Sequence, residues 1–226
     1  MKLLLIGHGR MGRLVESLAP RYGCEVAGVV TGASGPDAIR SATADVAVDF
    51  SVPAAVPVNL PLLASRGMSV VIGTTGWQDR EAELRVVVER AGIGVLAAAN
   101  FSMAMHIFRQ IVGEAARRFA ARPDTGAWIH EAHHAAKKDA PSGTALMLKS
   151  AMQAAGYARA IDVSSTRAGS IPGTHVVGFD GPADTVTLAH EVRDRAVFAH
   201  GALEGARWLH GRRGWFGIDD MFQSRD

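Results

Sequence analysis

Short apolar runs alternate with segments of helical periodicity through the N-terminal half of the chain. Each run is a few residues long and is bounded by glycine or polar residues, which is typical of buried strands. The predicted strands are residues 2–6, 25–30, 45–50, 68–72 and 93–97. The predicted helices lie between them, at 11–20, 52–66 and 81–91, with one further short helix before the third strand. This alternation predicts an α/β fold, a Rossmann-type doubly wound parallel sheet.

The pattern changes after residue 100. Two helices are predicted here, at 103–121 and 145–155. Gly, Pro and Asp turns separate four predicted strands, at 127–131, 161–167, 175–179 and 185–190. These elements predict a smaller α+β domain with a mixed or antiparallel sheet over residues 102–197. A last helix, at 196–209, is expected to pack back on the first domain, which comprises residues 1–101 and 198–226.

The composition is that of a folded globular protein, with 48% hydrophobic and 20% charged residues among 226. It excludes a disordered or fibrous chain. The formal net charge is +2, and the basic residues are scattered rather than clustered on one face, so no nucleic-acid partner is predicted. No apolar run is long enough to predict a membrane span, and the single cysteine, Cys24, excludes an internal disulfide framework. We therefore expect a cytoplasmic protein that binds neither nucleic acid nor membrane.

A glycine-rich loop follows the first strand directly. Its residues are Gly7-His8-Gly9-Arg10-Met11-Gly12. Between a strand and a helix, this spacing is typical of a loop that binds the pyrophosphate of a dinucleotide. Gly7 permits the tight turn, Gly9 lets the backbone approach the phosphates, and Gly12 allows close packing of helix on strand. The alternative is a plain glycine turn, but the strand-loop-helix context favours nucleotide binding.

The second strand ends without the acidic residue that usually binds the adenosine ribose of NAD. Its last residues are Val30-Thr31-Gly32, with neither Asp nor Glu beside them. Thr31 is the candidate contact for the ribose or for a 2′-phosphate, although no adjacent Arg completes an NADP site. The sequence therefore leaves the choice between NADH and NADPH open.

A histidine-lysine segment carries the candidate acid-base chemistry. His133 and His134 can titrate near neutrality, and Lys137 can offer a proton or bind an anion. Adjacent histidines at a strand end point to opposite faces, so one of them can equally be a packed residue, and the lysine can belong to a solvated turn. A histidine pair can also bind metal, but no third ligand stands at motif spacing, and no metal site is predicted.

An anion pocket is predicted immediately after this segment. Ser142 fits the N-cap of the next helix, which leaves Gly143 and Thr144 with free amides at the helix start. Such a helix start is suited to a carboxylate.

At these residues the sequence resembles the dihydrodipicolinate reductase family, also called 4-hydroxy-tetrahydrodipicolinate reductase, of the bacterial lysine and diaminopimelate pathway. The resemblance covers nearly the whole chain in order, and the segment 131–145 is its most specific motif. The other matching motifs are the glycine-rich loop and residues 48–51, 73–76, 98–102, 171–175 and 198–202. The chain departs from the usual family pattern at Ala104, at Lys138 and in a shortened segment between the second and third strands.

The resemblance implies a reductase that transfers hydride from NADH or NADPH to a small cyclic imine dicarboxylate, giving tetrahydrodipicolinate. His133 and Lys137 would be catalytic, and His134, Gly143 and Thr144 would bind the substrate. The residues that would contact the cofactor are Gly7, His8, Gly9, Arg10, Met11, Gly12, Thr31, Gly73, Thr74, Thr75, Ala98, Ala99, Asn100 and Phe101. The first domain would bind the dinucleotide, and the second would bind substrate and build a homotetramer.

Two other functions are compatible with this architecture. The first is a different NAD(P)-dependent dehydrogenase with the same two domains, which the combination of His-His-x-x-Lys with Ser-Gly-Thr argues against. The second is a non-catalytic protein that senses a nucleotide or binds DNA. It would predict a basic stripe, which the scattered arginines do not form.

Overall fold

A computed structural model describes residues 1–35 and 37–223 and divides them into two compact units. The first unit comprises Met1–Met103 and the segment that begins at Ala196, and the second comprises Ala104–Arg195. Within the described residues, no helix is long and apolar enough to cross a bilayer.

The first unit contains a six-stranded parallel sheet. In chain order its strands are β1 (Lys2–Ile6), β2 (Glu25–Val30), β3 (Val46–Asp49), β4 (Ser69–Ile72), β5 (Gly94–Ala97) and β10 (Gly214–Phe216). Their order across the sheet is β10-β5-β4-β3-β1-β2, so the chain proceeds in opposite directions on the two sides of β1. In sheets of this kind ligands bind outside the carboxyl ends of the strands, at the point of reversal. The predicted Rossmann-type sheet is confirmed, and β10 is an additional strand that the sequence did not predict.

Helices cover both faces of this sheet. They are α1 (Arg10–Leu18), α2 (Asp37–Ser41), α3 (Val56–Ser65), α4 (Glu81–Ala91), α7 (Ala196–Leu209) and α8 (Asp220–Gln223), with 3-10 turns at Ala19–Tyr22, Pro53–Ala55 and Gln78–Arg80. Successive side chains of a strand point to opposite faces, so Leu4 and Ile6 pack in one core and Leu3 and Leu5 in the other. The α7 helix contributes to the second core and so packs within the first unit.

The second unit is built on a mixed four-stranded sheet. Its strands are β6 (Gly126–His133), β7 (Ile161–Arg167), β8 (Thr174–Asp180) and β9 (Thr185–Glu191), in the order β7-β6-β8-β9. The β6 and β7 strands run parallel, while β8 is antiparallel to both β6 and β9. Residues of α5 (Met103–Ala120) and α6 (Gly143–Ala154) share one apolar core with the sheet. The predicted mixed sheet is confirmed, but β6 continues two residues beyond its predicted end and carries His133 in its last position.

Candidate active site

The glycine-rich loop borders a cavity of about 470 Å³ at the carboxyl ends of the first three strands. The cavity is lined by Gly7, His8 and Gly9 after β1, by Thr31 and Gly32 after β2, and by Phe50, Ser51 and Val52 after β3. It therefore lies where the strand order reverses, which is the usual location of a dinucleotide in this fold.

The local geometry gives a different reason for glycine at each of the three glycine positions of the loop. Gly7 has a φ of +93°, and a Cβ there would lie 2.5 Å from the carbonyl oxygen of Phe50. A Cβ on Gly12 would lie 2.2 Å from the carbonyl oxygen of Gly7, so only glycine lets α1 approach the loop this closely. Gly9 precedes α1 as its N-cap, and a Cβ there would meet no atom within 4 Å. Open space beside Gly9 and free amides at the start of α1 fit the pyrophosphate of a dinucleotide.

The end of the cavity beside β2 offers hydroxyl and backbone groups. The Thr31 amide donates to Oγ of Ser34 at 3.1 Å, and the two hydroxyls lie 3.2 Å apart. None of the described residues that line the cavity is acidic. This end therefore lacks the carboxylate that would reject a 2′-phosphate, and it offers polar groups to either dinucleotide.

A buried carboxylate connects the loops that follow β3 and β4. Asp49 is 2% exposed and accepts hydrogen bonds from the Ser51 amide at 2.9 Å, the Ser51 hydroxyl at 2.6 Å and the Thr74 hydroxyl at 2.9 Å. Burial raises the pKa of Asp49, and these hydrogen bonds oppose that shift. The same two loops also pack closely at Gly73, because a Cβ there would lie 2.0 Å from the Phe50 ring. The two loops therefore form one hydrogen-bonded and packed edge of the sheet.

The remaining residues predicted to contact the cofactor lie in different environments within the first unit. Thr74, Ala98 and Ala99 line a second cavity of about 350 Å³ in the first unit. Thr75 is exposed in the loop after β4, and Arg10 is exposed at the start of α1. The Asn100 side-chain oxygen accepts a hydrogen bond from the Ser102 amide at 2.8 Å.

Two cofactor candidates have side chains that pack in the interior. Phe101 is 1% exposed and lies against Phe50, with ring centroids 6.2 Å apart. Met11 packs against the same core. A dinucleotide in the loop would therefore meet Phe101 only through its backbone.

In the second unit, the end of β6 brings four polar side chains to one face of the sheet. Glu131 and His133 are two residues apart and therefore share a face. His133 is in register with Arg167 of β7, and Glu131 is in register with His175 of β8. The same face of β6 is apolar nearer its start, where Ala127 and Ile129 are buried in the core. The polar cluster therefore lies on the core-facing side of the sheet, next to the apolar core, and not on the solvent-facing side.

Glu131 is the centre of this cluster and has no exposed surface. Arg167 donates to both of its oxygens, at 2.6 and 3.0 Å. The Ser142 amide donates to it at 3.2 Å, and Nδ1 of His133 donates to Oε2. Burial opposes ionisation of this carboxyl, but the hydrogen bonds, those from Arg167 first, outweigh it and lower the pKa of Glu131 to about 2. Glu131 is therefore ionised at neutral pH.

The two histidines of the cluster are neutral at rest. Burial lowers the pKa of His133 below its usual value, and the charge on Arg167 offsets part of the attraction from Glu131. Burial also lowers the pKa of His175 to about 4. Nε2 of His175 lies 3.2 Å from the Ser142 hydroxyl, and the two imidazole rings meet edge to face with centroids 5.2 Å apart.

Lys137 and the start of α6 together surround a carboxylate of the protein itself. Nζ of Lys137 donates to both oxygens of Asp139, at 2.7 and 2.9 Å. Lys137 lowers the pKa of Asp139, and the Gly143 amide contributes in the same direction. Ser142 is the N-cap of α6, with its hydroxyl accepting from the Ala145 amide at 3.2 Å, as the sequence predicted. An ammonium and a helix start therefore converge on a carboxylate-sized space.

Three of these residues were not singled out from the sequence, namely Glu131, Arg167 and His175. Ligand atoms of Glu131, His133 and His175 lie within 4.8 Å of one another, a spacing that a metal ion can occupy. However, Arg167 already occupies both oxygens of Glu131, and its positive charge opposes a second cation there. The cluster is therefore a hydrogen-bonded network. The sequence feature that could have predicted it is a glutamate two residues before a histidine on one strand, which places both side chains on the same face.

Comparison with known proteins matches both units. The family model "Dihydrodipicolinate reductase, N-terminus" matches residues 1–101, and "Dihydrodipicolinate reductase, C-terminus" matches residues 104–222. A 4-hydroxy-tetrahydrodipicolinate reductase of Methanospirillum hungatei is 32% identical and covers 98% of this chain and 98% of its own. Another, from Bradyrhizobium diazoefficiens, is 34% identical over 100% of this chain and 98% of its own.

A solved structure shares the fold. It is a dipicolinate-bound dihydrodipicolinate reductase from Paenisporosarcina sp. TG-14, with a TM-score of 0.83 and 19% identity. The match covers 98% of this chain and 99% of that one.

Proposed function

The chain belongs to the dihydrodipicolinate reductase family, and from this premise we propose that His133 and Lys137 carry the chemistry of its reaction. The protein is an NAD(P)H-dependent oxidoreductase of lysine and diaminopimelate biosynthesis. The observation that supports the site most is the convergence, in one unit, of a histidine network with an ammonium and a helix start that already surround a carboxylate.

The ring that is reduced is a cyclic α,β-unsaturated imine with two carboxylates, which derives from 4-hydroxy-tetrahydrodipicolinate by loss of water, and the product is tetrahydrodipicolinate. The nicotinamide, when bound, supplies a hydride to the ring. The reaction consumes one NAD(P)H and one proton, because the enamine left by hydride addition must be protonated on carbon. The protein must therefore hold the ring in place and provide a proton to it.

The proposed roles follow from the charge state of each group. Lys137 carries an ammonium proton, and it binds one substrate carboxylate together with the α6 start at Gly143 and Thr144. His134 contacts the substrate from the loop after β6. His133 is neutral in the free protein, so it accepts a proton more readily than it gives one, which favours Lys137 as the initial proton donor.

In the first unit we propose that the backbone of the glycine-rich loop binds the pyrophosphate and that Thr31 contacts the adenosine ribose. Residues Gly73, Thr74 and Thr75 and the segment 98–101 would contact the nicotinamide half, because they follow β4 and β5 at the edge where cofactors bind. The first unit is thus the dinucleotide-binding domain and the second the substrate domain.

The assembly and location are part of the same proposal. A homotetramer built on the mixed sheet is supported by the family and by the exposed outer strand β9, where Val186 is 41% exposed. Light scattering of the purified protein tests this directly, with the mass of four chains as the expected result. The reductase would act in the cytoplasm, where its dinucleotide is reduced.

A coupled assay tests the proposed function. Dihydrodipicolinate synthase generates the substrate in the cuvette, and oxidation of NADH or NADPH is followed by absorbance. We expect oxidation that depends on the synthase and is lost in His133→Gln. Absence of oxidation by the folded wild-type protein would exclude the reductase.

A further inference from the structure

Glu131 does not reach the surface, yet it is hydrogen-bonded to groups on three elements of the second unit. It accepts hydrogen bonds from Arg167 on β7, from His133 on its own strand and from the Ser142 amide at the start of α6. It therefore connects the acid-base histidine to the end of the helix that is proposed to bind a carboxylate.

The contact with His133 fixes the state of the imidazole ring. An ionised carboxylate can only accept hydrogen bonds, so Nδ1 of His133 must carry the hydrogen in this pair. In the neutral ring the other nitrogen, Nε2, then holds the lone pair. Nε2 lies on the side of Gly173, where a Cβ would come within 3.2 Å of it, so a glycine at this position leaves room beside the nitrogen.

Arg167 in turn fixes Glu131. Its two nitrogens donate to the two carboxylate oxygens, and Nη2 also donates to the carbonyl oxygen of Asp139 at 2.6 Å. A two-point contact between guanidinium and carboxylate restricts the rotation of both groups. Arg167 thereby links the carboxylate behind His133 to the loop that carries Lys137.

We infer that Glu131, held by Arg167, is a positioning residue that fixes His133 with Nδ1–H directed at the carboxylate and Nε2 presented to the substrate. The inference rests on the proposed function, in which His133 contacts the reacting ring. Glu131 and Arg167 touch neither substrate nor cofactor in this account, and they act only through His133 and the loop that follows it.

The charged and titratable groups around His133 predict opposite effects for the two partners. These groups are Glu131 on β6, Arg167 on β7, His175 on β8 and Lys137 in the following loop. Loss of the negative charge in Glu131→Gln must lower the pKa of His133, and loss of the positive charge in Arg167→Gln must raise it. Shifts of opposite sign would show that both charges act on the His133 ring, and a loss of kcat with KM retained distinguishes a positioning role from a structural one.

Kinetics give the first test. We expect Glu131→Gln to lower kcat about 100-fold, because the ring loses its orienting partner, while KM and the NAD(P)H Kd stay close to wild type. Glu114→Gln is the matched control, since Glu114 likewise pairs with arginine side chains, those of Arg117 and Arg118, but lies exposed on α5. It should retain wild-type kcat. An unchanged kcat in Glu131→Gln would overturn the inference.

The ring of His133 in the free protein gives a test that needs no turnover. In protein labelled with ¹⁵N at histidine, the His133 signals are assigned by their loss in His133→Gln. The wild-type ring should carry hydrogen on Nδ1, and its pKa should fall in Glu131→Gln and rise in Arg167→Gln. A wild-type ring with hydrogen on Nε2, or shifts of the same sign in both variants, would contradict the inference.

The two tests separate this inference from the proposed function. If the wild-type protein fails to turn over the synthase product while the ring behaves as expected, the proposed function is wrong, and only the orientation of the His133 ring by Glu131 stands. If Glu131→Gln does not fold, the tautomer of His133 in the wild type and the shift of its pKa in Arg167→Gln still test the inference.

Discussion

The ammonium of Lys137 donates to both carboxylate oxygens of Asp139, at 2.7 and 2.9 Å, in the loop that leads into α6. Asp139 thus provides Lys137 with an internal carboxylate at the position where a substrate carboxylate is proposed to bind. The substrate must then compete with Asp139 for Lys137.

This competition predicts that Asp139→Asn lowers KM for the substrate. Asp139 has 57% of its side chain exposed, and an exposed ion pair is worth less than about 1 kcal/mol, so we expect a decrease of up to about fivefold. Steady-state kinetics with saturating NAD(P)H measures it. A higher KM would show instead that Asp139 holds Lys137 in its working position.

Loss of either proposed catalytic group should affect turnover far more than cofactor binding. His133→Gln and Lys137→Ala are each expected to lower kcat by about 10²- to 10⁴-fold, the range for a lost acid-base group, with an unchanged NAD(P)H Kd. Fluorescence titration of NAD(P)H and steady-state kinetics separate the two quantities.

Neighbours of the same type are the matched controls for these two variants. His130 lies on the same strand and bonds to Ser164, and Lys138 is the exposed neighbour of Lys137. His130→Gln and Lys138→Ala should retain wild-type kcat. A weaker NAD(P)H affinity in His133→Gln or Lys137→Ala would place those groups at the cofactor instead.

The glycine-rich loop offers a variant that should fold and still lose the cofactor. No atom outside the two adjacent residues lies within 4 Å of the position of a Cβ on Gly9, so the free protein leaves open space for a side chain there. The side chain would fill the space proposed for the pyrophosphate, and NAD(P)H affinity should fall at least about tenfold. Calorimetric titration measures the affinity, and thermal unfolding serves as the folding control. Wild-type affinity would contradict the assignment of the loop.

A different glycine is constrained by the fold itself. A Cβ on Gly201 of α7 would lie 1.8 Å from the carbonyl oxygen of Phe101, so Gly201→Ala must displace the helix or the loop. We expect the free energy of unfolding to fall by about 1–3 kcal/mol or more. Gly113→Ala on α5 is the control, because the nearest atom to its Cβ is 4.0 Å away. Urea denaturation compares the two, and equal stability would contradict the close approach of α7.

The lowered pKa of His175 predicts that the folded protein loses stability in mild acid. Burial lowers its pKa from 6.5 to about 4, so the unfolded chain takes up a proton at a higher pH than the folded protein does. The stability contributed by the neutral ring is therefore complete above pH 6.5 and is lost as the pH falls toward 4. Between pH 7.5 and pH 5 the wild-type protein should lose on the order of 2 kcal/mol from this residue.

Unfolding in urea at the two pH values, in the wild type and in His175→Gln, isolates this contribution. The variant should lose less stability than the wild type over the same pH interval. An equal loss would show that the His175 ring is already charged or solvated in the folded protein.

The first unit could be predicted largely from local sequence pattern. The strands β1 and β2 and the helix α4 begin and end at the predicted residues, because each is a short buried run or an amphipathic helix with clear boundaries. The strand β10 could not be predicted in this way. It has three half-buried residues, Gly214 to Phe216, and its extended conformation arises from pairing with β5.

The candidate site was predictable only where its parts are close in sequence. The Ser142 cap and the Lys137 loop lie within one segment, and local pattern finds both. Arg167 and His175 reach Glu131 through the register of β7 and β8 on either side of β6. That register depends on long-range pairing, which the local alternation of polar and apolar residues does not encode.

Transfer of deuterium from labelled cofactor to product is the decisive measurement for the proposed reductase chemistry. The protein is supplied with NAD(P)H carrying deuterium at the transferable position and with the product of dihydrodipicolinate synthase, and the tetrahydrodipicolinate formed is analysed by mass spectrometry. We expect one deuterium on the ring for each NAD(P)H oxidised, at a rate that falls strongly in His133→Gln and Lys137→Ala. Oxidation without deuterium in the product, or equal rates in wild type and both variants, would contradict it.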